Sequence, residues 1–319
     1  MAPDEGPGAI APSEREQAMD MIADIARELG IGVEIEPLHR RVGCLIFPDG
    51  RRSYFRGLSL DLNGLASSHL ARDKGWALHF LRELGYTVPR GDAFYSAELR
   101  RRIGSTKDVD AAWAFARQLG MPVIVKPNSK SEGVGVALVA TKRDFYRAMR
   151  VIFGSIHDDV ALVEEVVAGR DYRIVVVDRE VVSAYERRPF AIVGDGRATV
   201  AELVAARQRE LELTARHAPG ITDYRVQMFL RRQRIPADAV LPAGRLVRVL
   251  QNANLSTGGD AVDVTDRLGS DLLRLSIEIV ARMGLRLAGV DMLIRQEVDQ
   301  PLRPGTVTVL ELNSSPGPR

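Results

Sequence analysis

Two apolar segments near the C-terminus each contain an acidic residue. Residues 289–293 read Gly-Val-Asp-Met-Leu, and residues 309–313 read Val-Leu-Glu-Leu-Asn. Side chains alternate along a strand, so Glu311 and Asn313 point to the same face of the second segment. A carboxylate in an apolar strand is costly unless it is paired or binds a metal. Asp, Glu and Asn oxygens are ligands that Mg²⁺ accepts, so these two residues and Asp291 form a predicted metal set.

An alternative explanation of both acids is an ion pair with lysine or arginine. Two separate apolar strands carry the same exception, and this favours the metal interpretation.

A third segment combines an apolar strand with a glycine-containing loop. Residues 122–127 read Pro-Val-Ile-Val-Lys-Pro, so a buried strand delivers Lys126 at its end. Residues 128–135 follow as Asn-Ser-Lys-Ser-Glu-Gly-Val-Gly, and backbone amides freed by glycine can surround a phosphate. A flexible hairpin with a surface lysine is an equally weighted alternative. The segment is neither a GxGxxG fingerprint nor a Walker loop.

Residues 160–173 form a fourth candidate segment. An apolar strand runs into Glu164 and a second glutamate, followed by Val166 and Val167. Exposed backbone groups beside this valine pair could bind an adenine edge, and a nearby acid could bind ribose hydroxyls. A solvated pair of acids at a strand end is the alternative. Residues 252–260, rich in Asn, Ser, Thr and Gly, suit a loop that binds a carboxylate or phosphate, and an ordinary loop is the alternative.

Helical and strand patterns alternate along the rest of the chain. Apolar residues at helical spacing, followed by glycine, predict helices that end near Gly30, Gly85, Gly120 and Gly284. Strand patterns cover residues 32–35, 43–47, 52–55, 122–126, 138–140, 160–164, 172–177, 181–186, 287–294 and 306–312. Mixed helices and strands with hairpins indicate an α+β fold rather than a helix bundle.

We expect three units, because 319 residues exceed what one compact core usually holds. They are a small N-terminal α/β unit (1–70), a central subdomain with the glycine-rich hairpin (71–159) and a C-terminal subdomain with the metal site (160–319). Residues 208–245 are polar and broken by prolines, and this predicts an insertion or lid.

Composition narrows the classes of function. The chain has 44 basic and 42 acidic residues, a net charge of +2, and this gives no electrostatic case for nucleic acid as the main partner. The single cysteine, Cys44, cannot form an internal disulfide, so a reducing compartment fits. No apolar run is long enough to span a membrane, and the N-terminus lacks the features of a signal peptide. Cytoplasm is the expected location.

The order of these elements resembles the ATP-grasp superfamily. Lys74 opens the central unit, Lys126 ends its first strand, and the glycine-rich hairpin follows. Residues 194–200 and 252–266 look like the corresponding motifs in the ATP-grasp module of cyanophycin synthetases and in the glutathione-synthetase half of bifunctional glutamate–cysteine ligase/glutathione synthetases. The resemblance implies an ATP-grasp fold, in which two α+β subdomains enclose the nucleotide.

The resemblance also implies a role for each candidate residue. Lys74 and Lys126 would bind ATP phosphates, and Ser131, Gly133 and Gly135 would close over them. Adenine would be held by Glu164 and the backbone at Val166 and Val167, and ribose by Asp171. The carboxylate or transferred phosphate would be faced by Arg173, Arg187 and Arg248. The metal, Mg²⁺ or Mn²⁺, would be bound by Asp291, Glu311 and Asn313.

The implied activity is ATP-dependent ligation of a carboxylic acid to an amine through an acyl phosphate. Amino acids or short peptides are the expected substrates, nucleic acid and membrane are not expected partners, and a homodimer is a further expectation by analogy. A phosphotransferase and a non-catalytic nucleotide-binding module are the alternatives. Relatives usually continue beyond the metal motif, so we expect either a trimmed chain or a lean stand-alone enzyme.

Overall fold

The computed structural model describes residues 14–130, 133–212, 219–250, 253 and 258–316. Two compact units are present: residues 1–63 with 315–319, and residues 64–314. Within the described ranges, no helix combines the length and the apolar character needed to cross a membrane.

The first unit contains one helix and a small antiparallel sheet. Its elements are α1 (Glu14–Glu28), β1 (Gly32–Ile35), β2 (Val42–Ile46), β3 (Arg52–Arg56) and β4 (Ser59–Leu60). The strands pair in the order β1-β2-β3-β4. Met19 and Phe55 are buried together in its core. Gly43 leaves room for Phe55, because an added Cβ would lie 2.4 Å from the ring. The predicted helix and three strands of this segment are confirmed.

The second unit begins with helices and a four-stranded antiparallel sheet. Its elements, in chain order, are α2 (Leu65–Arg72), α3 (Lys74–Glu83), β5 (Gly91–Tyr95), α4 (Ala97–Ile103), α5 (Val109–Leu119), β6 (Val123–Pro127), β7 (Ala137–Val139), α6 (Lys142–Arg150) and β8 (Val160–Glu165). The strand order is β5-β8-β6-β7. Ala112 and Ala116 of α5 and Phe145 of α6 pack against the sheet in one apolar cluster. We call these four strands the nucleotide-side sheet, after the role predicted for Lys126 and for the loop that follows it.

One element was placed wrongly by the sequence analysis. The strand at residues 160–164 was assigned to the C-terminal subdomain, but β8 lies between β5 and β6 in the nucleotide-side sheet. A boundary at residue 159 would therefore cut this sheet. The strand pairs with partners about 35 and 70 residues earlier in the chain, and such pairing leaves no local signature in sequence. The remaining domain boundaries stay predictions.

The rest of the second unit forms a second sheet and a side module. Its elements are β9 (Arg170–Val177), β10 (Glu180–Arg188), β11 (Ala191–Val193), α7 (Val200–Glu212), α8 (Tyr224–Arg232), β12 (Leu246–Arg248), β13 (Asp260–Asp263), α9 (Ser270–Arg282), β14 (Leu287–Ile294) and β15 (Val307–Asn313). The sheet order is β13-β10-β9-β14-β15, all antiparallel. Even-numbered residues of β9 and β14 pack against α9, so this five-stranded sheet has one apolar face.

Residues 190–250 form a separate module within the second unit, here called the insert. Its first and last strands, β11 and β12, pair with each other. The polar composition of residues 208–245 predicted an insertion or lid. The structure shows that α7, α8 and both strands of the insert contribute to a buried apolar cluster. A capping box opens α7 as predicted, because the Thr199 amide donates to Glu202 Oε2 at 2.8 Å. The insert therefore has its own small core, within which Val226 and Leu230 share one face of α8.

The assignment of faces in the five-stranded sheet makes a stability prediction. Ile174 is fully buried on the apolar face of β9, whereas its neighbour Val175 is only half-buried on the other face. We expect Ile174→Ala to lower the free energy of unfolding by about 2–5 kcal/mol, measured by urea denaturation. Val175→Ala is the matched control and should lose clearly less. Equal losses would contradict the assignment of faces.

Candidate active site

The polar face of the five-stranded sheet carries a row of charged residues. Strand register places Arg173 of β9 opposite Asp291 of β14, and Asp291 opposite Glu311 of β15. In the next row, Asp171 of β9 stands opposite Arg187 of β10. Residues directly opposite one another on antiparallel strands have side chains within contact distance. Strand pairing alone therefore brings together five of the predicted site residues.

Asp291 is the centre of this row and is completely buried. Arg173 binds it in a bidentate manner, with Nε 2.6 Å from Oδ1 and Nη2 2.7 Å from Oδ2. Arg187 Nη2 lies 3.0 Å from Oδ2. Burial acts to raise the pKa of the Asp291 carboxyl, but the two guanidinium groups outweigh it and hold the pKa below its ordinary value. Asp291 is therefore charged, and both of its oxygens are engaged.

Asp171 shares Arg187 with Asp291. Arg187 donates from Nε at 3.0 Å and from Nη2 at 2.7 Å to Asp171 Oδ1. Burial raises the pKa of Asp171; Arg187 opposes the rise and the nearby negative charge of Asp291 adds to it. The three side chains form a buried network in which one arginine serves two acids. The predicted role of Asp171 in binding ribose stays a prediction.

Glu311 and Asn313 extend the row to a less buried position. Glu311 has a quarter of its side chain exposed, and its carboxylate lies 3.9 Å from Arg173 Nη2 and 3.8 Å from Lys74 Nζ, both long distances for an ion pair. Asn313 Nδ2 lies 3.4 Å from both Asp291 Oδ2 and Glu311 Oε1. The predicted metal set is thus brought together in space.

The donor set can be compared with the needs of Mg²⁺. Two carboxylates and an amide supply hard oxygen ligands, which suits this ion when phosphate oxygens and water complete the shell. Glu311 has unfilled acceptor capacity, whereas Asp291 shows the ion pairs that were the alternative in the sequence analysis. The described part of the chain holds no cluster of three or more His, Cys, Asp or Glu side chains fit for a metal. Glu311 and Asn313 could therefore bind a Mg²⁺ ion directly. Asp291 could bind the ion only by giving up a contact with Arg173 or Arg187.

Lys74 connects the two sheets. Its Nζ donates to the carbonyl of Asn128 at 3.3 Å and to that of Lys130 at 2.5 Å, and it lies 3.8 Å from Glu311 Oε2. Both carbonyls directly follow β6, which ends the nucleotide-side sheet at this point. The Lys74 ammonium group therefore contacts the start of the glycine-rich segment and also lies near Glu311. We call Asp291 and Glu311, with the neighbouring Asp171, the acidic row.

The position of Lys74 is fixed by a polar clasp that the sequence analysis missed. Asp73 caps α3 by accepting from the Trp76 amide at 2.9 Å. Its second oxygen accepts from Asn128 Nδ2 at 2.7 Å, and Asn128 Oδ1 accepts from the Gly75 amide at 2.9 Å. An aspartate before a helical run was a readable N-cap signal. Nothing in the sequence marked Asn128 as its partner.

Lys126 and Glu164 form a buried ion pair within the nucleotide-side sheet. Lys126 Nζ lies 2.9 Å from Glu164 Oε2, and both side chains are less than a tenth exposed. Gly91 makes room for the pair, because a Cβ there would lie 2.6 Å from Glu164 Cγ. Glu164 Oε1 has no hydrogen-bond partner among the described residues. A buried acceptor left unpaired is costly, so this oxygen suits a ligand donor such as an amino group.

The described part of the glycine-rich hairpin forms a tight turn. Gly133 and Gly135 have φ angles of +70° and +73°, which favour glycine. An added Cβ at Gly135 would lie 2.4 Å from the Ile156 side chain. At the base of the hairpin, the Ser129 amide and hydroxyl both donate to buried Asp158 at 2.8 Å, a contact the sequence analysis missed. Ser131 lies outside the described residues.

Several predicted residues lie apart from the charged row. Val166 and Val167 follow the end of β8, and Val166 is exposed, as a backbone contact to adenine would require. Arg248 lies in β12 of the insert and is exposed, and no contact between it and the acidic row is found in the described ranges. In the loop at 252–260, residues 252 and 254–257 are outside the described residues.

The arrangement is that of an ATP-grasp domain, in which two antiparallel sheets carry a lysine-bearing strand end and an acidic row. Residues 93–199 match the family model described as D-ala D-ala ligase C-terminus. Cyanophycin synthetase of Trichormus variabilis is 31% identical over 265 residues, which cover 81% of this chain and 28% of that protein. The glutathione biosynthesis bifunctional protein GshAB of Enterococcus faecalis is 31% identical over 245 residues, 74% of this chain and 31% of that protein.

A solved structure agrees with the sequence comparisons. The crystal structure of a bifunctional glutathione synthetase from Pasteurella multocida superposes with a TM-score of 0.57 and 26% identity, covering 94% of this chain and 40% of that one. The chain belongs to the ATP-grasp superfamily. The predicted fold and family are confirmed, and the chain spans about three tenths of the length of the curated relatives it matches.

The network around Asp291 predicts a stability effect that the sequence analysis did not foresee. Asp291→Asn would leave two largely buried arginines with too little counter-charge. Breaking a buried ion pair by removing one partner costs about 3–5 kcal/mol. We expect a clear drop in the urea midpoint. Asp178→Asn, which breaks an exposed pair with Arg286 on the same sheet, is the control and should change little.

Proposed function

We propose that this chain is an ATP-dependent carboxylate–amine ligase that forms an amide bond through an acyl phosphate, with Mg²⁺ as the metal. The observation that carries the proposal is the position of Lys74. Its ammonium group contacts the carbonyls that begin the glycine-rich segment and also lies 3.8 Å from Glu311 in the acidic row. A triphosphate that followed Lys74 would meet both the proposed phosphate turn and the proposed metal set.

The residues of the site suit stabilisation of charge on a transferred phosphoryl group. Lys74, Lys126 and Arg173 would neutralise the negative charge that spreads over its oxygens as the substrate carboxylate attacks. A Mg²⁺ ion at Glu311, Asn313 and Asp291 would add charge stabilisation there. The amine then attacks the acyl carbonyl and phosphate leaves, so no nucleophilic side chain is needed.

The acidic partners of these cations have a second consequence. Lys126 and Arg173 are paired with Glu164 and Asp291, which keeps the cations oriented. On binding, the phosphate oxygens of ATP would replace the carboxylate oxygens as partners of these cations. The cations would not first have to be ordered from a freely moving state. Part of the ordering of the site is thereby completed before ATP binds, a form of preorganisation that reduces the entropy lost on binding.

Two other functions share the nucleotide residues. A phosphotransferase would stop at the phosphorylated acid, and a non-catalytic module would only bind nucleotide. The presence of Lys74, Lys126, Asp291, Glu311 and Asn313 together favours a working enzyme. The matched relatives are named for cyanophycin and glutathione synthesis, and both names favour a peptide-type ligation.

The substrate class that we propose is amino acids or short peptides, as acid and as amine. This extends to the chain what the names of its relatives say of them. The cytoplasmic location stays a prediction from the single cysteine, and the homodimer stays a prediction by analogy.

A screen of ADP release tests the proposal. The protein would be incubated with ATP, Mg²⁺ and pairs drawn from a panel of amino acids, and products would be identified by mass spectrometry. A ligase gives a condensed product and free phosphate only when both acid and amine are present. A stable phosphorylated acid would show a phosphotransferase, and binding of ATP without ADP release across the panel would show a non-catalytic module.

Glu311 offers the sharpest test of the metal site, because its contacts are long and its loss should not unfold the protein. We expect Glu311→Gln to reduce Mg²⁺-dependent turnover by about a hundredfold or more, since a metal contact is worth several kcal/mol. The urea midpoint should stay close to that of the wild type. Glu297→Gln, at an exposed pair with Arg170, is the control. Normal turnover in Glu311→Gln would refute the metal assignment.

A further inference from the structure

The insert reaches the glycine-rich turn through one arginine. Arg225, in the first turn of α8, donates from Nη1 to the carbonyl of Gly133 at 3.1 Å. Its side chain is only 15% exposed. The donor and the acceptor are 92 residues apart in the chain. The contact therefore ties the insert to the segment that carries the predicted phosphate-binding glycines.

Arg225 is held in place by the residue that begins its own helix. Asp223 caps α8 by accepting from the Arg225 amide at 2.8 Å. The same carboxylate accepts from Arg225 Nε at 3.1 Å and from Nη2 at 2.8 Å. A guanidinium is planar and rigid, so binding two of its nitrogens fixes the direction of the third. Nη1 is thereby aimed at Gly133 before any ligand arrives.

The helix that carries Arg225 is itself fixed to the nucleotide-side sheet. Met228 of α8 is buried in the apolar core of that sheet, and Tyr224 packs against the same cluster. The Arg147 guanidinium of α6 stacks over the Tyr224 ring with 5.1 Å between the Arg147 Cζ atom and the ring centroid. On the other side of the insert, Arg207 of α7 binds Asp260 at the start of β13. The insert is thus attached to both sheets.

Gly133 is the residue at which the turn is set. Its φ of +70° lies in the left-handed region, and its carbonyl also accepts from the Val136 amide at 3.2 Å. Arg225 and the Val136 amide therefore share the Gly133 carbonyl as acceptor. The orientation of this carbonyl determines how the adjoining peptide groups of the turn are oriented. Amides that converge on a phosphate act only when they are correctly oriented.

We propose that Arg225 is a positioning residue for the Gly133–Val136 turn, and that it acts from the insert without contacting ATP. The proposal rests on the proposed function only in taking the Gly133 turn as the phosphate-binding segment. The insert has a role in ATP binding under this proposal, because the orientation of the Gly133–Val136 turn depends on α8.

Arg225→Ala should loosen the turn and weaken ATP binding. We expect hydrogen exchange of the Val136 amide, measured without nucleotide, to become faster by about tenfold, the effect of losing one charge-assisted hydrogen bond. The Kd for ATP, measured by titration calorimetry, should rise by a similar factor, while kcat at saturating ATP should change little. Exchange in α9, which is remote from the turn, should be unaffected.

Two further variants separate positioning from stability. Arg231→Ala is the matched control, because Arg231 lies on the same helix and its exposed pair with Asp144 of α6 does not touch the turn. It should behave as the wild type in both measurements. Arg225→Lys retains one donor for Gly133 and should restore part of the protection and part of the affinity. A purely structural role would make exchange in α9 faster together with that of Val136 in Arg225→Ala, which would overturn the proposal.

The exchange measurement keeps this proposal distinct from the proposed function, because it needs no ATP. Unchanged Val136 exchange in Arg225→Ala would overturn the positioning role even in an active ligase. Faster Val136 exchange with unchanged ATP affinity would overturn it as well, since the turn would not then affect the nucleotide. A wild-type protein that bound ATP but formed no product would sink the ligase function and leave the positioning role supported by both readouts.

Discussion

The buried carboxylate of Asp291 is the interaction on which the polar face of the five-stranded sheet depends. Its two oxygens hold Arg173 and Arg187, and the second arginine also serves Asp171. Burying so many charges is favourable only when each is paired and hydrogen-bonded. The network therefore demands a fixed register of β9, β10 and β14. A slip of one residue would turn every charged side chain toward the apolar core.

This constraint explains why the less buried residues of the site are well placed without being tightly bound. Glu311 stands opposite Asp291 in the register, and Asn313 lies within 3.4 Å of both acids. Neither residue has to hold the sheet together, since the arginines already do so. Stability and ligand binding are thereby divided between neighbouring side chains. Such a division would allow Glu311 to exchange its long contacts for those of the proposed metal ion.

The sequence contained most of the fold in a local form. The strand at 287–294 and the hairpin of β9 and β10 could be predicted because apolar alternation and a turn at residues 178–180 are local signals. Asp291 and Glu311 could be singled out because an acid in an apolar strand is conspicuous. Their partners could not, since Arg173 is 118 residues from Asp291 in the chain and many arginines were equally available. Local patterns could not distinguish an ion pair from a metal ligand for the same reason.

The strand β8 and the insert also could not be placed from local sequence patterns, because such patterns do not show which elements pair or pack together. An apolar strand such as β8 fits either sheet, and only pairing with β5 and β6 decides. The insert appeared polar because charged residues and prolines are interspersed among its apolar residues, which nevertheless form a small core once α7 and α8 pack together. It leaves the five-stranded sheet after β10 and returns at β13, which are neighbours in that sheet. Its helix α8 nevertheless packs on the nucleotide-side sheet through Met228. A movement of one sheet relative to the other would therefore strain the insert, and the Arg225 contact would convey that strain to the Gly133 turn. The insert is thus continuous in chain with the sheet that carries the acidic row, and it packs on the sheet that carries the proposed phosphate-binding turn.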